Sequence, residues 1–356
     1  MDFSFHESEL AIRDLAKQVF QRVPNGPEHV REAWRELGRS QLLGVALPDQ
    51  VGGSDSGVVA LCLLVQQAGR VANLAPLIPS LVLAGFPLAQ YRDARERLES
   101  LCNGNSILCG SFGSRAEPAV HARRAGKDYV LSGAEGCIEA LPLADAIVLA
   151  AREERGGRLL FLLDPYARGV SIQGQQVASG CALGSLELSD VRLSASALLC
   201  EPQLAEALID HTLDRAYLTQ CAYELGLCET ALELTARYAG QRQQFGRPIG
   251  TFQAVTQRIA DMHVALETVR LTLWRAAWLA ENQRQSSEAR QAIAVARTIA
   301  TQAGHQIVCA AQHIHGGMGF AREYPLHRYF LASKQNELQL GGHSHHLSRL
   351  GKLIAG

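Results

Sequence analysis

The sequence predicts an α+β protein of several domains, in which helical segments flank a small β domain. Apolar residues recur at near-helical spacing in residues 1–104, short apolar runs separated by Gly, Asp and Pro fill residues 105–200, and long Ala/Leu-rich segments occupy residues 201–356. A chain of 356 residues is long enough for two or three domains. We therefore predict an N-terminal helical domain, a middle β-barrel or β-sandwich, and a C-terminal four-helix bundle, divided at those boundaries.

The first part is predicted to be helical apart from one loop. The segment ALPDQVGGSDSG (46–57) contains Pro, Asp and several Gly, which are typical of turns. An apolar helical run resumes at Val58 and continues to Gly69, where residues 69–73 are interpreted as the helix end.

The middle part has the pattern of short β-strands. The runs SILCGSF, DYVLSG, AIVLAA, LLFLLD and VSIQG are rich in β-branched and large apolar residues. Asp164-Pro165-Tyr166 and Asp190-Val191-Arg192 are interpreted as turns between strands.

The last part is predicted to form long helices over 203–239, 252–282 and 287–311. A helix of 30 residues extends for about 45 Å, a length typical of antiparallel bundles. Pro and Gly residues at 248–250 and 316–319 are expected to interrupt the helices.

The composition excludes several classes of protein. The 34 basic and 35 acidic residues nearly balance, which gives no indication of nucleic-acid binding. No apolar run is long enough to span a bilayer, and the acidic N-terminus does not resemble a secretory signal. Nine scattered cysteines without a CxxC pair favour a reducing, cytoplasmic environment over a disulfide framework. GxSxG, Walker and Rossmann fingerprints are missing from the sequence, so the common hydrolase, kinase and nicotinamide classes are not indicated.

The segment RQQFGRPIG (242–250) is the first candidate site. Arg242 and Arg247 flank a turn, and guanidinium groups bind phosphate oxygens in a forked geometry. Phe245 is expected to contact a planar ring. The alternative is a solvated turn with a buried Phe245.

The segment HIHGGMGF (313–320) is the second candidate site. Its three glycines allow backbone amides to approach a ligand closely, whereas the alternative is a plain turn between helices. The histidines of this segment and the cluster His343, His345 and His346 suggest a metal site. We predict none, because no acidic residue lies within the cluster and its three histidines do not share one helical face.

Taken together, these segments resemble the acyl-CoA dehydrogenase family. LGVALPDQVGGSDSG is similar to the N-terminal "G…PE.yGG" loop of that family, with Asp49 in place of Glu. RQQFGRPIGTFQAV is similar to its "R..FG.pi..fQ" turn. HIHGGMGFAREYPLHRYF is similar to its "Q..GG.G…eyp..r" flavin loop, with His313 in place of Gln. The resemblance extends over essentially the whole chain.

The resemblance implies that FAD is the cofactor and an acyl-CoA thioester the substrate, with an electron-transfer flavoprotein or similar acceptor. Arg242 would hold the FAD diphosphate, Phe245 and Gln253 would line its adenosine side, and His313, Gly316 and Gly317 would belong to the loop that meets the same cofactor. In this family these elements reach the FAD of a neighbouring subunit, so an oligomer is expected.

The chain departs from the family at the catalytic base. By spacing, the usual Glu position falls at Leu340 and the alternative position at Ala216, and neither side chain can accept a proton. Asp214 lies two residues from the alternative position and is the candidate base, although it can also be a surface or structural acid. Glu224 is a further acid of the same helix.

The β domain departs from the family as well. Its flavin-contacting Trp-Ile-Thr is replaced by Cys137-Ile138-Glu139, and the Thr-Glu-Pro segment by Gly110–Pro118. A Glu at that point would repel reduced, anionic flavin. This pattern resembles short bacterial relatives that act on bulky acyl-CoAs, such as steroid acids, as α2β2 heterotetramers with composite sites. The resemblance therefore implies a homologous partner subunit, with a homo-oligomer or a non-catalytic subunit as the alternatives.

Overall fold

The computed structural model describes residues 4–91, 94–113, 119–154, 156–200, 202–283 and 286–355. Helices occupy the first and last parts of the chain and strands the middle part, which confirms the predicted fold class. The helices are α1 (Glu7–Arg22), α2 (Val30–Arg39), α3 (Gly57–Arg70), α4 (Phe86–Leu88), α5 (Arg95–Cys102), α6 (Pro202–Gln241), α7 (Gln253–Asn282), α8 (Ser287–His315), α9 (Leu326–Leu338) and α10 (His343–Ala355). A π-helical segment, Ile78–Gly85, directly precedes α4.

Helix α2 buries one face, as its sequence pattern predicts. In α2, Val30, Ala33 and Trp34 are almost fully buried, at the i, i+3, i+4 spacing of a single helix face. The Trp34 indole Nε1 donates a hydrogen bond to the Ser106 carbonyl at 2.8 Å, which satisfies its polar atom within the core. Helix α3 ends at Arg70, so the predicted helix end at 69–73 is confirmed.

The middle part forms one seven-stranded sheet with the order β1-β4-β2-β3-β7-β6, and β5 pairs with β4. Strand β4 runs parallel to β1 and β2, and the other pairs are antiparallel. Its strands are β1 (Leu108–Ser111), β2 (His121–Ala125), β3 (Asp128–Glu139), β4 (Ala146–Glu153), β5 (Arg158–Leu163), β6 (Val170–Gln175) and β7 (Leu183–Leu193).

The sequence analysis did not predict two of the strands. Strand β2, HARRA, buries only Ala122 and therefore lacks an apolar run. Strand β7 contains Asp190-Val191-Arg192, which we interpreted as a turn, and that interpretation is wrong. Asp190 adopts a positive φ of 51° beside an irregularity in the β3–β7 register, so a turn-like residue occurs inside a strand.

The C-terminal helices have nearly the predicted bounds. Ser286 caps α8, because its hydroxyl accepts a hydrogen bond from the Ala289 amide at 3.0 Å. Helices α3 and α6 cross with their backbones in contact: a Cβ atom on Gly69 would lie 2.2 Å from the Tyr223 carbonyl oxygen, and one on Gly226 would lie 2.1 Å from that of Gln66. Only glycine permits such an approach.

The chain divides into two compact units. One comprises residues 1–6, 62–73 and 217–356, and the other comprises 7–61 and 74–216. The division into three consecutive domains stays a prediction. Across the described ranges, no helix combines the length and the apolar character needed to cross a membrane.

Candidate functional site

The ends of three helices carry the two candidate motifs. Between α6 and α7 the chain forms a hairpin of β8 (Gln243–Gln244) and β9 (Arg247–Pro248). Phe245 and Gly246 both have positive φ, 54° and 77°, as a tight two-residue hairpin turn requires. The turn exposes 92% of Phe245, so the alternative of a buried Phe245 is wrong.

Arg242 is fixed through its backbone and free at its side chain. Its amide donates to the Tyr238 carbonyl and its carbonyl accepts from the Ile249 amide, both at 2.8 Å. Within the described part of the chain its exposed guanidinium has neither a hydrogen-bond nor an ion-pair partner. The side chain is therefore available to a ligand.

Gln253 is exposed at the first position of α7, directly after this hairpin. The Arg247 guanidinium lies 4.3 Å above the Phe252 ring, and the rings of Phe245 and Phe252 meet edge-on at 6.1 Å. The cation–π contact and the ring contact stiffen the hairpin.

The second motif ends α8. His313 is exposed and bonds to Arg258 of α7, a residue that the sequence analysis did not select as a site residue. Helix α8 stops at Gly316, where φ is 58°. A Cβ atom on Gly316 or Gly317 would meet nothing within 4 Å, so the backbone there is open to an approaching group.

The buried residue His315 connects the two motifs. Its buried ring stacks on Tyr238 of α6 at 4.3 Å, and its Nε2 lies 3.1 Å from the Tyr324 hydroxyl. Burial lowers the pKa of His315, so the ring is held neutral. Together with the Arg258–His313 contact, this stack brings the ends of α6 and α8 and the start of α7 to one place.

These residues fit a dinucleotide cofactor. An unpaired guanidinium, an exposed aromatic ring and an open glycine backbone at one end of the helices match the needs of a diphosphate joined to a planar group. The groups that fit this cofactor all project outward from the chain.

Asp214 belongs to the other compact unit and is 6% exposed, which argues against a simple surface acid. The neighbouring Arg215 bonds to His211 and lies 4.1 Å above the Phe86 ring. Ala216, at the position of the family's alternative base, is fully buried. The role of Asp214 stays a prediction.

Leu340 lies in the turn between α9 and α10, partly exposed, with a positive φ of 55°. Left-handed backbone is unfavourable for a leucine and persists where the surroundings impose it. The structure thus presents an apolar side chain where the resemblance places a carboxylate.

The β domain contains a buried acid that the sequence analysis missed. Glu135 is 7% exposed, and its Oε1 accepts hydrogen bonds from the Ser111 hydroxyl and, at 3.0 Å, from the Gly113 amide. Burial raises the pKa of Glu135, and these two hydrogen bonds oppose the shift. Glu135 lies inside β3, whereas the other acids of that strand, Asp128 and Glu139, are its first and last residues. An acid in the interior of a strand is the signal that could have found it.

Glu135 lies near the replaced flavin-contacting segment. Cys137, two residues further along β3, is exposed with φ 59°, and Glu139 is half-buried. Of the segment Gly110–Pro118, residues 114–118 lie outside the described residues. Glu135 therefore anchors the first part of that segment to β3.

The histidine cluster near the C-terminus is embedded in protein contacts. His343 Nδ1 lies 3.2 Å from the Thr301 hydroxyl. Burial and the nearby Arg297 lower the pKa of His346 to about 2. In the ranges that the structure describes, no group of three His, Cys, Asp or Glu is arranged to hold a metal ion.

Comparison with solved structures finds chains that match this one over nearly its whole length. A chain of the ChsE4–ChsE5 complex from Mycobacterium tuberculosis superposes with a TM-score of 0.91 and 32% identity, covering 100% of this chain and 99% of that one. A chain of the Tcur3481–Tcur3483 steroid ACAD G363A variant gives a TM-score of 0.89 and 34% identity over 98% of both.

Sequence comparison agrees with the structural one. The family models for the acyl-CoA dehydrogenase N-terminal and C-terminal domains match residues 7–97 and 207–353. The acyl-CoA dehydrogenase FadE27 of Mycobacterium tuberculosis (strain H37Rv) is 34% identical, over 100% of this chain and 99% of that protein. The probable acyl-CoA dehydrogenase YngJ of Bacillus subtilis (strain 168) is 26% identical over 96% of each. The chain therefore belongs to the acyl-CoA dehydrogenase family.

Proposed function

We propose that this chain is one subunit of an FAD-dependent acyl-CoA dehydrogenase whose active site is completed by a homologous, unlike subunit in a heterotetramer. The observation that carries the proposal is a contrast within the chain. The exposed guanidinium of Arg242 has no partner among the described residues, and Phe245 is 92% exposed beside it. By resemblance, Leu340 and Ala216 occupy the positions of the family's carboxylate base. A chain that offers cofactor contacts outward and has no carboxylate at either family base position is suited to sharing a site.

Two of the structural relatives support the heteromeric part of the proposal. One is the ChsE4–ChsE5 complex, and the other, which also carries two names, is the Tcur3481–Tcur3483 steroid ACAD. Both are more than 30% identical to this chain over nearly its whole length. A bulky, steroid-like acyl-CoA is therefore the substrate class we propose.

The outward-facing residues would bind and orient the cofactor. Arg242 would neutralise its diphosphate through forked hydrogen bonds, and Phe245 and Gln253 would line its adenosine side. His313, in the last turn of α8, and Gly316 and Gly317, directly after that helix, would approach the cofactor from the helix end. When bound, FAD supplies the acceptor for the hydride that leaves the β carbon of the acyl group.

The proton α to the thioester must go to a base. Asp214 is the candidate within this chain, since a buried carboxylate can have the raised basicity that this step needs. The carboxylate of a partner subunit is the alternative. We further propose a cytoplasmic location and an electron-transfer flavoprotein, or a similar carrier, as the acceptor of the electrons.

A second candidate function is that of a non-catalytic subunit that only completes the partner's site. The specific observation in its favour is that Leu340 and Ala216 both lack a carboxylate. In that case Arg242 would still contribute to the cofactor site, and Asp214 would be structural.

Co-expression with a homologous chain that retains the base tests the composite site. The purified complex should be an α2β2 assembly with less than one FAD per chain, measured by native mass and flavin absorbance, and active on acyl-CoA. A homotetramer of this chain alone with one FAD per chain and full activity would overturn the proposal.

Replacing Arg242 tests the cofactor contact. Arg242→Ala should remain folded but lose about 2–5 kcal/mol of FAD binding, because a charged partner of the diphosphate is removed. Arg275→Ala is the matched control, since Arg275 is half-exposed on α7 and bonds to Glu288 at 3.4 Å. Unchanged flavin retention in Arg242→Ala would refute the assigned role.

Replacing Asp214 separates the two candidate functions. If Asp214 is the base, Asp214→Asn in the complex should keep flavin and acyl-CoA binding and lose turnover by about 10²–10⁴-fold. Stopped-flow reduction of the flavin measures the step directly. Normal reduction would assign the base to the partner subunit.

A further inference from the structure

Arg297 of α8 is a charged side chain with no exposed surface. Its Nη2 donates hydrogen bonds to the carbonyl oxygens of Asn336, at 2.6 Å, and Gln339, at 3.3 Å. These carbonyls lie in the last turn of α9 and directly after it, where a helix leaves its carbonyl groups unpaired and carries partial negative charge. Arg297 thus caps α9 from a neighbouring helix.

Side chains from α6 reinforce this cap. Gln220 Nε2 also donates to the Gln339 carbonyl, at 3.3 Å. Asn336 Nδ2 donates to the Gln220 carbonyl at 3.0 Å and to Glu224 Oε2 at 2.7 Å. Helices α6, α8 and α9 are therefore tied together at the point where the turn to α10 begins.

A histidine of α10 links this fourth helix to α6, α8 and α9. Arg297 Nε lies 3.4 Å from Nε2 of His346 in α10, and His346 is 1% exposed. We call Gln220, Glu224, Arg297, Asn336 and His346 the Arg297 cluster. It brackets the turn 339–342 from both ends.

The Arg297 cluster contains polar atoms that are buried without a partner among the described residues. These are Gln220 Oε1, Arg297 Nη1, Asn336 Oδ1 and His346 Nδ1. Buried donors and acceptors are costly when unpaired, and mixed sets of this kind are the usual environment of ordered internal water. Burying this many polar groups in a helical core is unfavourable unless they hold a neighbouring segment in one conformation.

The turn 339–342 is the segment whose conformation must be held in place. Leu340 has φ 55° and Gly341 has φ 106°, so two consecutive residues adopt left-handed backbone. A leucine in this region is held there by its surroundings. The Gln339 carbonyl, just before Leu340, is the point at which Arg297 and Gln220 both act.

We propose that Arg297 is a positioning residue, which holds the turn 339–342 in one conformation and so presents Leu340 as an apolar wall for the acyl group. The proposal rests on the proposed function, because the resemblance alone places Leu340 at the substrate. Two facts carry it: the donors converge on the Gln339 carbonyl, and the partly exposed Leu340 follows a cluster that is almost wholly buried.

The test uses the full chain in complex with its homologous subunit. Arg297→Met removes the cap, and Gln220→Met removes one donor while leaving the charge of Arg297 in place. Hydrogen exchange at the 339–342 amides should quicken by about tenfold in Arg297→Met and less in Gln220→Met. Arg275→Met on the exposed face of α7 is the control and should leave exchange unchanged.

Kinetics separate positioning from simple stability. With a bulky acyl-CoA, Arg297→Met should raise KM by about fivefold with kcat nearly constant, since Leu340 does no chemistry. Arg297→Lys keeps a charge and a donor, so it should recover most of the exchange protection and of the KM. If Arg297→Met does not fold, Gln220→Met gives the same comparison.

The outcomes distinguish the proposals. Unchanged exchange at 339–342, or protection in Arg297→Lys as poor as in Arg297→Met, would overturn the positioning role. A loosened turn with unchanged KM would overturn the wall formed by Leu340. If the unmodified complex had no acyl-CoA dehydrogenase activity, the proposed function would fail, and the exchange result would still decide the positioning role.

Discussion

Both compact units contain buried glutamates, and Glu224 of the helical unit is held differently from Glu135 of the sheet. In the helical unit, Glu224 accepts hydrogen bonds from Ser333 at 2.5 Å and Asn336 at 2.7 Å, and the charge of Arg297 acts on it. In the sheet, Glu135 accepts from Ser111 and Gly113 through Oε1 only, and its Oε2 has no partner among the described residues.

The difference concerns charge. Burial raises the pKa of both carboxyl groups, and hydrogen bonds oppose the shift in both, but only Glu224 has an opposite charge that also opposes it. Glu224 therefore lies under the electrostatic influence of a buried cation, whereas Glu135 has only neutral donors among the described residues. The stability contributed by Glu135 therefore depends more on its protonation, and that contributed by Glu224 depends more on the presence of Arg297.

Removing Glu224 should have the largest effect. Glu224→Leu removes an acid that acts on the buried Arg297 charge, and should lower the free energy of unfolding by about 3–5 kcal/mol in urea denaturation. The double variant Glu224→Leu/Arg297→Met removes both charges and should recover most of the loss. A single variant within about 1 kcal/mol of the unmodified chain would show that the two groups are not a pair.

A change beside Glu224 should have a smaller effect. A Cβ atom on Gly304 would lie 2.2 Å from Glu224 Oε1, so Gly304→Ala must displace the carboxylate from its donors. We expect a loss of about 1–3 kcal/mol in thermal or urea unfolding. Gly240→Ala is the control: nothing lies within 4 Å of its Cβ position, and the added alanine should stabilise α6 by about 0.5–1 kcal/mol.

Glu135 should show the smallest effect and the clearest pH dependence. Because its folded pKa is raised above the ordinary value of 4.5, the folded state binds the proton more tightly than the unfolded chain. The free energy of unfolding therefore falls as the pH rises from near 4.5 and levels off above the folded pKa. Glu135→Gln removes this term and should be more stable at neutral pH by about 1 kcal/mol.

The measurement is urea unfolding over a pH series, with Glu187→Gln as a control on an exposed position of β7. Equal pH slopes for Glu135→Gln and the unmodified chain would mean that Glu135 is not a buried, protonated acid. That result would remove the contrast with Glu224.

The sequence predicted the parts of the fold that repeat along the chain. Helical spacing located α6 and α7 to within two residues and α8 to within four, and apolar runs located β1, β3, β4, β5 and β6. Strand β2 was missed because HARRA exposes nearly every side chain, and β7 because Asp190 resembles a turn residue. Periodicity detects an element through the face that it buries, so a polar or irregular strand gives little signal.

The candidate site was predictable where it depends on local sequence. The exposed Phe245 and the open Gly316–Gly317 backbone follow from turn chemistry within a few residues. The Arg297 cluster was not predicted, because its acceptors are carbonyl groups far along the chain, at Asn336 and Gln339. An arginine in an Ala-rich helix gives no sign from sequence that it is buried.

The exposure of Cys137 gives the β domain a natural attachment point for a probe. Of the nine cysteines, all of which lie in the described ranges, six are buried, Cys200 and Cys309 are intermediate, and Cys137 is exposed. Burial raises the thiol pKa of Cys102 to about 11 and those of Cys181 and Cys221 to about 12, which makes them slow to alkylate. A brief reaction with a maleimide dye would therefore mark Cys137 first, and its fluorescence would report on the strand next to the anchored Glu135 without any engineered residue.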